Sequence, residues 1–128
     1  MGSQQLLLVV LSVVLVGIAL VLAIQMFQAN AIESSRNSLT DDLLYFATRA
    51  RDYYWRPLSL GGGNRSFTGI TFSRLSNMSS NDNGRYFISS VSQHELVIVG
   101  IGRVSVGTDT TQVQVIIDEQ HNTFQIIH

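Results

Sequence analysis

The stretch that decides the fold is Leu6–Ile24, LLLVVLSVVLVGIALVLAI, nineteen residues broken only by Ser12 and Gly17. Fifteen of them are Leu, Val or Ile. As an α-helix the stretch spans roughly 28 Å at ~1.5 Å per residue, close to the ~30 Å hydrocarbon core of a bilayer. It is apolar all the way round and has no polar stripe to turn toward water. Burying one such side chain is worth about 1.5–3 kcal/mol, so fifteen set an upper bound of roughly 20–45 kcal/mol. A chain of 128 residues does not leave that in water.

The charge pattern points the same way. Glu33 is the first charged residue, so all nine acids and all eight bases lie beyond residue 32, and every base is Arg. Charged residues make up 13% and apolar residues 45% of the chain, against the usual ~25% charged. A net charge of −1 argues against a nucleic-acid binder driven by phosphate neutralisation. The absence of Cys excludes disulfides, thiolate metal sites, Cys nucleophiles and covalent c-type haem attachment.

Three fates fit the apolar segment. In a cleaved secretory signal, Ala29-Asn30-Ala31 would be the cleavage site, but Met1–Gln5 lacks a positive start and the run exceeds the usual ~7–15 residues. A permanent single-span anchor is the second. The third is a helix that begins in a membrane and then packs against copies of itself. Myristoylation fails because Leu6 stands where the pattern requires Ser or Thr.

From Gln25 onward polar residues enter, but nothing breaks a helix before Pro57. Ile32, Leu39, Leu43, Phe46, Ala47, Ala50 and Tyr54 recur at helical spacing and make one apolar face. The spacing predicts one continuous rod. Ser38-Leu39-Thr40-Asp41-Asp42 has the composition of a helix start and marks a minor alternative, a kink near residue 40. Pro57 ends the helix, and Gly61-Gly62-Gly63-Asn64 reads as a flexible connection.

The remainder reads as an antiparallel sheet of four to five strands: Ser66–Phe72, Arg85–Val91, Glu95–Val106, Thr111–Asp118 and Thr123–Ile127. Leu75–Gly84 is a polar loop ending in an Asn-Gly turn signal. Leu96-Val97-Ile98-Val99 is apolar on both faces, as in a strand covered from both sides. The expected architecture is α+β: a long helix over 1–56 (apolar over 1–25, amphipathic over 26–56), a Gly-rich linker over 57–65, and a sheet over 66–128 that packs on the amphipathic half. The sheet has too little core to stand well alone.

Met1 through Phe27 (MGSQQLLLVVLSVVLVGIALVLAIQMF), followed by an amphipathic helix and a C-terminal sheet, resembles a mature type IV pilin or pilin-like protein. The resemblance implies a homo-oligomeric helical filament outside the cell. It further implies subunits held in the inner membrane before assembly, a dedicated pilus assembly machinery, and roles such as adhesion or motility. No cofactor or metal is implied. A processed N-terminus is commonly N-methylated, which singles out Met1. The polymerising surface would comprise Met1, Gln4, Gln5, Leu6, Leu7, Val10, Val14, Gly17 and Val21. Three features depart from the family pattern. Gln5 stands where the family usually carries Glu, no Pro interrupts the apolar half, and the disulfide-bounded loop is missing. A single-pass membrane-anchored interaction module and a secretion-system pseudopilin are the alternative readings.

No enzyme motif emerges: there is no Ser-His-Asp spacing, phosphate loop or metal cluster. His94, His121 and His128 are too scattered for a metal motif, and His94–Glu95 and Glu119–His121 read as short-range pairs at strand ends. Asn81-Asp82-Asn83-Gly84 suggests a calcium loop only in part and reads as a simple turn. Asn64 and Asn77 begin glycosylation acceptor patterns.

Overall fold

A computed structural model describes residues 2–128, so the expectation placed on Met1 lies outside the described residues. The protein is α+β. Helix α1 (Gly2–Trp55) packs through its second half on one four-stranded antiparallel sheet, made of β1 (Gly84–Val91), β2 (Leu96–Val106), β3 (Asp109–Ile117) and β4 (Asn122–Ile126) in the order β1-β2-β3-β4. The chain divides into two compact units between Ala31 and Ile32.

α1 runs without a break through Ser38–Asp42. Thr40 turns its hydroxyl back to the Arg36 carbonyl (2.8 Å), which satisfies it inside the helix instead of at a cap. The helix is the expected continuous rod, without the alternative kink near residue 40. Leu39, Leu43, Phe46, Ala47, Ala50 and Tyr54 are buried and Ile32 is half-buried. They meet Leu96 and Ile98 of β2, Val113, Val115 and Ile117 of β3, and Tyr86 of β1. Phe46 packs edge-on against Tyr86 and Phe72. Small residues set the closest approach: a Cβ at Gly102 of β2 would collide with Thr111 Oγ1 and come 3.2 Å from Leu39. There Ser35 and Thr111 share a 2.7 Å hydrogen bond, the only partner drawn from the helix to that fully buried hydroxyl.

Three expectations need correction. Ser66–Phe72 is not a strand. Phe67 and Ile70 are both buried, three residues apart, across a turn closed by the Ile70 amide on the Phe67 carbonyl (3.0 Å), with Gly69 at φ +84°. A short helix α2 (Phe72–Leu75) follows. The chain alternates in composition there, but the turn buries a spacing of three, which a strand cannot.

Nor is the Gly-rich segment a free linker. The amides of Gly63, Asn64 and Arg65 return to the carbonyls of Tyr53, Arg56 and Tyr54 at 2.8, 3.0 and 2.6 Å. They satisfy the acceptors that a helix end leaves open. Gly61 adopts φ +80°, and a side chain at Gly62 would strike the Arg56 carbonyl. The glycines are there because the chain folds tightly over the helix end.

β2 is buried at Leu96, Ile98 and Val99, but Val97 is only half-buried, and Phe87 of β1, opposite Val99, is 44% exposed. The expected cover on both faces is incomplete.

Candidate functional site

Residues 2–30 are exposed throughout. Nothing in the folded chain covers Leu6–Ile24: the exposures of its large side chains run from 51% at Val14 to 69% at Leu7. α1 is long and apolar enough to cross a membrane. The residues expected to polymerise, apart from Met1 outside the described residues, lie here in the open. Leu7, Val10, Val14, Gly17 and Val21 follow at alternating spacings of three and four, so they fall on one stripe of α1. Leu6 lies beside that stripe, and Gln4 and Gln5 form the exposed polar start of the helix. A Cβ at Gly17 would meet no atom within 4 Å. Ser12 spends its hydroxyl on the Leu8 carbonyl (2.8 Å), hiding the one polar group in the first half of the run.

The second unit carries its charge in separated groups. On one side of α1, Arg49 and Arg56 stand with Arg74 around Tyr45 and Tyr53, beside a groove of about 250 Å³ that also takes in Asn77. Arg49 donates to the Tyr45 hydroxyl at 3.1 and 2.8 Å, and Arg74 lies over the Tyr53 ring at 5.9 Å. This basic face was not foreseen, although Tyr45, Arg49, Asp52, Tyr53 and Arg56 share one helical side and Arg74 alone is distant in sequence.

At the end of the sheet, the β1–β2 and β3–β4 turns bring together His94, Glu95, Asp118, Glu119 and His121 around an open groove of about 590 Å³. The expected histidine pairs are replaced by others. His94 pairs with Glu119 at 3.0 Å, because antiparallel pairing sets Leu96 opposite Ile117 and so brings the two turns side by side. His121 faces Asp118 at 3.8 Å, and His128 faces Asp109 at 3.6 Å. The phenol of Tyr54 reaches His94 Nδ1 at 3.0 Å. Backbone amides of His121 and Gln120 hold the Asp118 carboxyl below its usual range. No group of three or more metal-ligating side chains converges among the described residues.

Asn81-Asp82-Asn83-Gly84 is a turn in which Asn81 Oδ1 accepts from the amides of Asn83 and Gly84 at 2.8 and 3.2 Å. The amide groups of Asn81 and Asn83 donate to Asp42 Oδ2 at 3.0 and 2.9 Å, and the Tyr86 hydroxyl donates to the same oxygen. Burial opposes ionisation of Asp42, but the bonds from Asn83, Tyr86 and Asn81 outweigh it and hold the carboxyl below its usual range. Burial first, then the Asp42 carboxylate, drives the Tyr86 phenol far upward. Asp42, read from sequence as a helix-start residue, instead fastens the loop before β1 to α1. Asn64 and Asn77 are both exposed.

The chain matches no family model, no curated protein and no solved structure.

Proposed function

We propose that this chain is a structural subunit of a type IV pilus-like extracellular filament. The single observation that carries the reading is an uncharged helical segment, Leu6–Ile24, with its whole apolar surface open. Lipid surrounds that surface while the subunit waits in the inner membrane. When assembly machinery lifts the subunit out, helices of neighbouring copies replace the lipid and form a dry bundle at the filament axis. Leu6, Leu7, Val10, Val14, Gly17 and Val21 make those contacts. Gln4 and Gln5 offer neutral acceptors to an N-terminal amine, which avoids burying that charge unpaired. The folded unit forms the outer shell, with adhesion or motility as its use. Met1 is the candidate for N-methylation, and Asn64 and Asn77 are candidates for surface glycans.

Negative-stain microscopy of sheared cell-surface material tests the reading: filaments built from this chain are expected. Leu6→Asp is expected to abolish them while leaving the folded unit intact. Normal filaments from that variant would show that burial of the helix is not required. Membrane-bound chain with no filaments under any condition would favour the single-pass anchored module.

A further inference from the structure

We propose that neighbouring copies also meet through charge, the arginine face at the C-terminal end of α1 (Arg49 and Arg56, with Arg74 of α2) in one copy set against the turn carboxylates Glu95, Asp118 and Glu119 of the next. This rests on the filament reading and names a lateral contact within it. The folded chain gives these arginines no acidic side-chain partner and these carboxylates only histidine ones. Among the described residues, every side-chain ion pair uses a histidine, and no arginine lies within 4 Å of an Asp or Glu carboxylate. Arg49 and Arg74 converge on two adjoining grooves where Asp52 is the one acid. Their guanidiniums are ordered by Tyr45 and Tyr53, so less side-chain freedom is lost when an anion arrives. The residues lining the carboxylate groove include only His94 and His121 as cations, with Arg51 acting on Asp118 from α1, and imidazole neutralises a carboxylate only when protonated.

The two surfaces cannot pair within one copy as folded. Arg49 and Arg51 lie two residues apart, about 200° around a helix. Arg51 reaches the β3–β4 turn, donating to Asn122 Oδ1 at 2.8 Å, so Arg49 faces away from that turn. A two-fold axis through the arginine face would set arginine against arginine. A head-to-tail contact satisfies both surfaces and leaves one of each free at the ends, which is the geometry of an open helical polymer. Single exposed ion pairs are weak, so each contributes about 2–5-fold and the set of three roughly tenfold or more to lateral association.

The chain has no Cys, which makes cross-linking specific. Arg74→Cys and Glu119→Cys copies are co-expressed, and the sheared filaments are oxidised and run on non-reducing gels; Arg49→Cys with Glu95→Cys is the second pair. Disulfide dimers are expected when both variants of a pair are present, and none from either variant alone. In parallel, Arg74→Glu is expected to lower filament yield several-fold, with recovery when Glu119→Arg is added to the same chain. Filaments with neither cross-links nor charge-swap recovery overturn this contact and leave the filament reading standing. Dimers from single variants overturn it in favour of a two-fold contact. Unaltered chain that makes no filaments overturns both.

Discussion

Replacing Gly17 by Leu separates a helix that only sits in lipid from one that packs against copies of itself, because the two environments respond with opposite sign. In the single chain a side chain at Gly17 enters open space, with no atom within 4 Å of a Cβ. The substitution therefore introduces no clash. Glycine costs about 1 kcal/mol relative to alanine inside a helix, and leucine is nearly as favourable as alanine. Leucine near the centre of a span adds about 0.3–0.6 kcal/mol to membrane insertion. Together these favour the membrane helix by about 1–1.5 kcal/mol, a factor of roughly ten. In a bundle, Gly17 would be the point of closest approach on the stripe Leu7-Val10-Val14-Gly17-Val21. Overfilling a packed site costs about 1–3 kcal/mol, or about 5–150-fold in association per contact. The assay compares the amount of chain in the membrane fraction with filament mass and length in the sheared fraction. Membrane levels are expected to hold or rise while filament mass falls at least about fivefold, with Gly17→Ala in between. Filaments of normal number and length from Gly17→Leu would refute close helix approach at this position.

Two further substitutions test the folded unit in the full chain held in detergent. Asp42→Ala removes the acceptor shared by Asn81, Asn83 and the buried Tyr86 hydroxyl and is expected to cost about 1.5–3 kcal/mol by denaturant unfolding. The folded carboxyl of Asp42 lies below its unfolded value. The stabilisation is therefore fully present above the unfolded pKa of about 3.9 and is lost as pH falls through the folded value, and Asp42→Ala should flatten that acid limb. Gly102→Ala drives a methyl into Thr111 and to 2.8 Å from Ser35 Oγ. It should cost about 2–4 kcal/mol, from overpacking plus the broken Ser35–Thr111 bond; an unchanged unfolding midpoint would mean that the helix does not seat there.

The parts of this fold legible in the sequence are those where periodicity and burial coincide. The face Leu39-Leu43-Phe46-Ala47-Ala50-Tyr54 and the alternation Val113-Val115-Ile117 each show one period and are each buried on the expected side. The misread parts are those where distant residues decide. Ser66–Phe72 has strand composition, yet Gly69 turns it so that Phe67 and Ile70 cover the Tyr54 end of the core. The glycines at 61–63 suggested looseness, whereas the helix-end carbonyls they satisfy are visible only once the chain folds back. Asp42 carries no local sign that two asparagines and a tyrosine some forty residues away will converge on it. His94 found Glu119 instead of Glu95 because strand register, which composition alone leaves open, chose the neighbour. Of the candidate site, the apolar run was plain from composition. The basic face was hidden because Arg74 joins it from another element.

The two parts of α1 thus differ in what they contact within the chain, and the consequence can be tested. Every buried core side chain lies between Leu39 and Ile117, and residues 2–30 contribute none. The folded unit therefore owes almost nothing to the apolar segment. A chain reduced to residues 32–128 keeps the whole core, the Asp42 cluster and the Ser35–Thr111 bond. It is expected to be monomeric in water without detergent and to unfold cooperatively, with a denaturant midpoint close to that of the full chain. If folding needed the removed helix, the fragment would instead lose near-UV dichroism and exchange its β2 and β3 amides rapidly. That result would overturn the division of labour, because the apolar segment would then be conserving the fold. With an intact fragment, roughly 20–45 kcal/mol of potential apolar burial is left without use inside the chain. Lipid or neighbouring copies would then have to supply the contacts that the chain itself does not.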